Sequence, residues 1–378
     1  MRRAVLVVLV LGVVGGFAWS AAPPAAAVPR AGRVLEATPI AARDLPSAAA
    51  SGQVVTYVTR DQNDRLALAT GVFWLPKGTA PAGGWPVFSW AHGTVGIADA
   101  CAPSRTRHGD DVDLAIRQAL ADGYAVTATD YAGAGSAGEP EYLGGRAAAH
   151  SVIDLIRAAR ARDRAIGPWW VSAGHSQGGH AALFAGHEAG RYAPELVLRG
   201  IVALAPASGI EHLVGAVFNP LVPSVGRLNT VSALFLYLLA GLDHARPDLR
   251  VADHLTESGR RHLDLARTAC NGEVTAAVSS VAPGSLVGSW LRDPTFVDAL
   301  TAYTRVPSDG YSVPIRIDHG VADPVVPYPL TLALVRSMRN AGTAVDLHSH
   351  LRDDHTEVVA DALDEVMATV RDDFTRRR

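Results

Sequence analysis

Trp169-Trp170-Val171-Ser172-Ala173-Gly174-His175-Ser176-Gln177-Gly178-Gly179-His180 decides more about the fold than any other stretch of this 378-residue chain. Trp169 to Ala173 reads as a short buried strand, and the alanine-rich residues after Ser176, up to about Gly190, read as a helix. Between them Gly174-His175-Ser176-Gln177-Gly178 spells G-x-S-x-G. In a strand–turn–helix context this pattern sets a serine on a sharp bend, whose neighbours two residues away must be nearly free of side chain. The helix that starts there aims unpaired N–H groups and its positive dipole end at the bend, favouring an oxyanion. The motif alone recurs by chance. Its flanks make Ser176 a candidate nucleophile.

Strand and helix patterns alternate on both sides of this stretch. Val54 to Val58, Leu66 to Leu75 and Pro86 to His92 read as three strands, after an irregular arm over Ala31 to Gly52. Val112 to Ala121 is a helix, Tyr124 to Thr129 a strand, Ala147 to Ala161 a helix and Gly200 to Leu204 a strand. The alternation resumes with a strand at Val313 to Ile317, a helix at Leu330 to Arg339 and a strand at Val345 to His350. A last helix over Glu357 to Val370 carries Val359, Leu363, Val366, Met367 and Val370 on one face. This order predicts an α/β fold with a mostly parallel central sheet flanked by helices. About a hundred residues interrupt it. The expected division is therefore a core in two parts, residues 28–207 and 308–378, with a helical cap or lid over residues 208–307. Within the insertion, Val231 to Leu242 is too short to span a bilayer.

A serine hydroxyl needs a base, and the base needs a group to orient it. In α/β-hydrolases the chain order is Ser, then Asp or Glu, then His. Asp323, in Gly320-Val321-Ala322-Asp323-Pro324, and His355, in Asp353-Asp354-His355-Thr356, supply that order from loops at the carboxyl ends of strands, where ligand-binding groups gather. Asp318 competes with Asp323, but it ends a strand and is expected to face solvent or pair with Arg316. His348 and His350 share one strand face and read as surface or packing histidines. Asp353 and Asp354 read as caps of the last helix, and His175 and His180 as packing neighbours of the nucleophile. Ser176, Asp323 and His355 form the expected triad. Its oxyanion would rest on the N–H of Gln177 and on one from Ser89-Trp90-Ala91-His92-Gly93-Thr94-Val95-Gly96, with Thr94 ahead of Gly93.

Arg2-Arg3, the apolar run Ala4 to Trp19 and the Ala25-Ala26-Ala27 cleavage pattern make residues 1–27 an expected signal peptide. The product would be secreted, or retained at the cell envelope. In an oxidising compartment the two cysteines, Cys101 and Cys270, are expected to bridge, a constraint on the order of 4 kcal/mol. A formal net charge of −3 with no basic domain argues against nucleic-acid binding. The Arg376-Arg377-Arg378 run reads as a solvated tail.

Ala91-His92-Gly93-Thr94, Cys101-Ala102-Pro103-Ser104, Asp130-Tyr131-Ala132-Gly133, Gly174 to Gly179, Gly320 to Val326 and Asp354-His355 together resemble the secretory lipase family, in the same order and over nearly all of the exported chain. The resemblance implies an acyl-ester hydrolase acting on triacylglycerols or shorter esters without metal or cofactor. It implies a helical lid over an apolar acyl pocket and transient contact with a lipid interface. It also implies that Cys101 pairs with a cysteine of the insertion, which Cys270 can supply, and that Asp130 and Tyr131 shape the pocket floor. Some fungal members have a second disulfide and an acidic side chain near the oxyanion site; this chain lacks the cysteines for the first and has H-G-T in place of the second. An acyltransferase with the same triad is the nearest rival reading. A peptidase on this fold would lack its propeller-type domain, and a non-catalytic exported binding protein conflicts with an intact triad.

Overall fold

A computed structural model describes residues 30–217, 228–288 and 293–376. The expected signal peptide and the end of the arginine run lie outside them. Nine strands form one sheet in the order β1-β2-β3-β5-β4-β6-β7-β8-β9. They are β1 (Val34–Pro39), β2 (Ala49–Arg60), β3 (Leu66–Pro76), β4 (Trp85–Ala91), β5 (Ala125–Ala132), β6 (Ile166–His175), β7 (Val197–Leu204), β8 (Ile315–Gly320) and β9 (Val345–His350). Pairs from β1 through β2 and β3 to β5 are antiparallel. From β5 through β4, β6, β7 and β8 to β9 every pair is parallel. The sheet is mostly parallel, as expected.

The arm expected to be irregular over Ala31 to Gly52 instead holds β1 and the start of β2. None of the β1 side chains is fully buried, so its sequence carries no apolar period. Backbone pairing with β2 holds it.

The described residues also form, in chain order, the α-helices α1 (Pro103–Thr106), α2 (Leu114–Ala121), α3 (Gly145–Arg162), α4 (Gln177–Tyr192), α5 (Ile210–Val217), α6 (Leu228–Ala245), α7 (Glu257–Thr268), α8 (Asn271–Ala277), α9 (Pro294–Thr304), α10 (Tyr328–Asn340), α11 (Glu357–Asp361) and α12 (Leu363–Thr375). The sheet separates two apolar layers. Val87, Trp170, Ile201 and Ala203 join α3, α4 and α10 on one side. Phe88, Trp90, Val171, Val202 and Leu204 join α2 and α12 on the other. Alternate residues of a strand thus reach opposite cores, which is why the central strands read as unbroken apolar runs. Each fully buried aliphatic side chain contributes about 1.5–3 kcal/mol.

The helix expected over Glu357 to Val370 breaks at Ala362 into α11 and α12. Its apolar stripe survives the break, with Leu363, Val366, Met367 and Val370 buried. Helices α5 to α9 stand between β7 and β8. A third cluster, including Leu236, Leu239, Leu263 and Leu300, packs them on Ile97, Tyr142 and Leu143 from the sheet's loops. Among the described residues no helix is long and apolar enough to cross a membrane.

Because β4 lies between β5 and β6, strand order reverses there. Ala91 at the end of β4 stands beside Gly174 at the end of β6. The loops leaving these two strands are therefore neighbours, at the position where such sheets bind ligands.

Candidate active site

Ser176 joins β6 to α4 with φ 57° and ψ −117°. For a residue with a side chain this is strained, at a cost of order 1–3 kcal/mol. The surroundings fix it: its N–H donates to the Leu204 carbonyl at 2.9 Å, and its carbonyl accepts from His180 N–H at 3.0 Å and Ala207 N–H at 3.1 Å. A Cβ on Gly178 would collide with the Ala91 carbonyl, and one on Gly174 with the Gly178 carbonyl. The two glycines of the motif are required because three backbone segments meet there.

His355 Nε2 lies 2.8 Å from Ser176 Oγ, and its Nδ1 lies 2.6 Å from Asp323 Oδ2. The other carboxylate oxygen accepts from Val325 N–H at 2.8 Å and Val326 N–H at 2.9 Å. Burial pushes the Asp323 carboxyl up. Hydrogen bonds from His319, His355 and Val325, with the His355 charge, outweigh it and hold the group well below the usual carboxylate range. Any side chain on Gly320 would strike the carbonyls of Asp353 and Asp354, so the loops carrying Asp323 and His355 close on each other. The three side chains singled out in the sequence thus converge from the ends of β6, β8 and β9.

The competitors have other partners. Asp318 is wholly buried, which corrects the expectation that it could face solvent. It binds Arg316 through both oxygens, at 2.7 and 2.8 Å, and His350 Nε2 at 3.0 Å. Asp354 Oδ1 accepts from Thr356 N–H at 2.8 Å and Glu357 N–H at 2.9 Å, capping α11. Asp353 does not cap; its Oδ2 faces His350 Nδ1 at 3.3 Å. His348 pairs with Asp346 at 3.1 Å.

His175 Nε2–H donates to the His355 carbonyl at 2.7 Å. Burial, then the His355 charge, bring its pKa down to about 4, so it braces the loop as a neutral ring. His180 Nε2–H donates to the Thr304 carbonyl at 2.9 Å, tying α4 to the end of α9.

The loop after β4 runs beside Ser176. Gly93 is close enough that an added Cβ would lie 3.7 Å from Ser176 Cβ. Thr94 Oγ1 is 2.6 Å from Tyr142 OH. Tyr131 OH donates to the His92 carbonyl at 2.8 Å. Asp130 accepts from Thr70 Oγ1 at 2.6 Å and Ser104 N–H at 3.0 Å, so both its oxygens are engaged in structure. Gln177 opens α4, where a helix has no acceptor for its first N–H groups.

Cys101 and Cys270 form a disulfide, with Cα atoms 5.5 Å apart. Beside it Asn271 N–H donates to the Val95 carbonyl at 2.9 Å, and Gly96 bridges to Cys270. The bond fastens the loop beside Ser176 to the start of α8.

Ser176 borders two spaces. An open cleft of about 520 Å³ is lined by Trp90, Thr94, Arg107, Asp113, His175, Leu234, Asn271 and His355, among others. On the other side is a mainly apolar slot walled by Leu143, Ile210, Val214, Leu234, Phe235 and Val325. Among the described residues no three His, Cys, Asp or Glu side chains are grouped to hold a metal ion.

The family model described as secretory lipase matches residues 105–375. The chain belongs to the secretory lipase family. Lipase A of Arthroderma benhamiae (strain ATCC MYA-4681 / CBS 112371) is 27% identical to this secretory lipase family member over 282 residues, 68% of this chain. That match spans just 55% of the fungal protein. A Mycobacterium tuberculosis (strain CDC 1551 / Oshkosh) protein named probable inactive lipase MT1628 is 25% identical over 341 residues, 83% of this chain and 71% of that one. Candida antarctica lipase A superposes with a TM-score of 0.75 at 19% identity, over 92% of this chain and 84% of that one. The rice cell wall degrading esterase LipA from Xanthomonas oryzae gives 0.72 at 17%, over 91% and 98%. At such identities these two structures share the α/β fold with this secretory lipase family member.

Sequence reasoning overlooked His319, Tyr142 and the bracing role of His175. Only His319 left a usable trace. It stands four residues before Asp323, at the end of the strand that delivers the carboxylate.

Proposed function

We propose that this chain is an exported serine ester hydrolase, a lipase or carboxylesterase, working through an acyl-enzyme intermediate. The observation that carries the reading is the contact of His355 with Ser176 Oγ at 2.8 Å on one side and Asp323 at 2.6 Å on the other. Ser176 Oγ attacks the ester carbonyl while its proton passes to His355 Nε2; Asp323 keeps the imidazole in the tautomer that can accept it. The negative oxygen of the tetrahedral species rests on Gln177 N–H and Thr94 N–H. As the C–O bond breaks, His355 returns the proton to the leaving alcohol. A water, deprotonated by His355, then attacks the acyl-enzyme, and collapse of the second tetrahedral species frees the acid and restores Ser176.

Residues 208–307 are read as a cap over this chemistry, set between core parts 28–207 and 308–378. Lining of the apolar slot by α5 and α6 supports acyl binding there. Export is supported by the family and by the disulfide.

A relative named probable inactive lipase gives the opposite reading its one support. Two measurements separate them. Wild-type protein should hydrolyse p-nitrophenyl esters and take up a fluorophosphonate probe, and Ser176→Ala should do neither. Equal turnover by the variant, or an unlabelled wild type, overturns the proposal. Esters of graded acyl length, then a triglyceride emulsion, would assign the substrate.

A further inference from the structure

The proposed triad accounts for one hydrogen bond to Asp323 Oδ2, yet that oxygen faces two imidazoles. His319 is wholly buried, and its Nε2 lies 3.1 Å from Asp323 Oδ2 and 3.0 Å from the Val326 carbonyl. Both neighbours accept and neither can donate, so Nε2 carries the proton. Its Nδ1 is 2.9 Å from Thr331 Oγ1, which lies 3.3 Å from Ser208 Oγ. Both hydroxyls are buried. A hydroxyl can donate to Nδ1 while accepting from the next, so Ser208, Thr331 and a neutral His319 satisfy one another in a single direction. The chain of groups runs from Ser208, where the polypeptide leaves β7, through Asp323 and His355 to Ser176.

We infer that His319 is a positioning residue of the active site: as a neutral Nε2–H tautomer it shares its proton between the Val326 carbonyl and Asp323 Oδ2, and so sets both the direction and the basicity of the carboxylate that orients His355. This rests on the hydrolase reading given above. The carboxylate accepts three hydrogen bonds, from Val325 and Val326 N–H on Oδ1 and from His355 on Oδ2, and the His319 Nε2–H, shared with the Val326 carbonyl, faces the remaining acceptor site of Oδ2 at 3.1 Å. Without it, charge on Oδ2 is less delocalised into hydrogen bonds. Asp323 then holds the His355 imidazolium more strongly, and the acid limb of the rate profile moves upward.

Two variants and one spectrum test this. His319→Leu removes the donor; His319→Gln can present an amide N–H in place of Nε2–H. The expected result for His319→Leu is a kcat roughly 10- to 100-fold down, with KM within about twofold. Its acid limb of kcat/KM should lie about half a pH unit above that of wild type. His319→Gln should recover most of the rate and bring the limb back. On the folded wild-type protein, ¹⁵N shifts of the His319 ring should report a proton on Nε2 and none on Nδ1. A proton on Nδ1 in place of Nε2 overturns the inference, whether or not the variants fold. So does an unmoved acid limb in His319→Leu together with no rescue by glutamine, since a mere packing role predicts both. Failure of the hydrolase reading looks different: wild-type protein would resist the fluorophosphonate probe while its His319 tautomer remained as stated.

Discussion

Asp323 spends both oxygens inside the protein, and its value lies in that confinement. A carboxylate accepting from His355, Val325 and Val326 cannot swing toward water, so the imidazole beside it has one orientation. Asp323→Asn should leave the fold intact by circular dichroism and lower kcat on p-nitrophenyl butyrate by about a thousand- to ten-thousandfold, because an amide favours the wrong tautomer of His355. Activity should also fall as acid protonates His355, since only the neutral ring accepts the serine proton. Tyr131→Phe is a finer probe. It removes the donor to the His92 carbonyl and leaves that carbonyl unpaired beside the oxyanion loop. The unpaired carbonyl should cost about 1–3 kcal/mol of stability, read as a lower melting temperature, and a loop displaced by its loss should lower kcat/KM roughly five- to thirtyfold, about 1–2 kcal/mol in transition-state binding. A Tyr131→Phe enzyme as fast as wild type would show that the loop holds its shape without this bond.

At the level of elements, β6 followed by α4 was legible because one local pattern specified all of it. A strand buried on both faces, two obligatory glycines and an alanine-rich helix follow one another between Ile166 and Tyr192. Gly178→Ala tests the reason. Its methyl would enter the Ala91 carbonyl, so the bend must open, at a cost of more than about 3 kcal/mol. The variant should melt far below wild type or fail to accumulate in soluble form. β1 was illegible for the opposite reason. Its stability comes from backbone pairing with β2, while none of its own side chains is fully buried. The break at Ala362 was hidden because α11 and α12 continue the same apolar stripe. Asp318 pairs with Arg316, one of the two outcomes expected of it, and the other, exposure, failed because alternation along β8 predicts an outward face. That face is covered by α11 and α12, with Arg316 reaching the Glu365 carboxylate at 3.0 Å and Thr369 Oγ1 at 3.1 Å. His319, on the same strand, could be found only by asking what else the triad acid touches.

Across the whole molecule, buried ionisable groups set how stability follows pH. Burial is the first cause that brings His150, His175 and His180 down to about 4 from 6.5. Between those values the unfolded chain binds more protons than the folded one, so their contribution is complete above 6.5 and is lost as pH falls toward 4. Glu141 runs the other way: burial raises it from 4.5 to about 7, so its contribution is complete below 4.5 and is lost as pH rises through 7. Asp373, which burial raises from 3.8 to about 6, acts in the same sense as Glu141, and three imidazoles against these two carboxyls still predict a lower urea midpoint at pH 4.5 than at pH 7. Glu141→Gln should gain most above pH 7, and equal midpoints for variant and wild type at pH 8 would rule out an ionisation penalty there. Cys270→Ser should cost about 2–5 kcal/mol, read as a lower melting temperature. The position of that bond has a mechanical consequence as well. Cys270 sits between α7 and α8, and its partner Cys101 sits on the sheet's rim, so the helical layer is pinned at one corner. While the sulfurs stay joined, the start of α8 cannot part from the rim of the sheet, and the loop beside Ser176 keeps its covalent anchor.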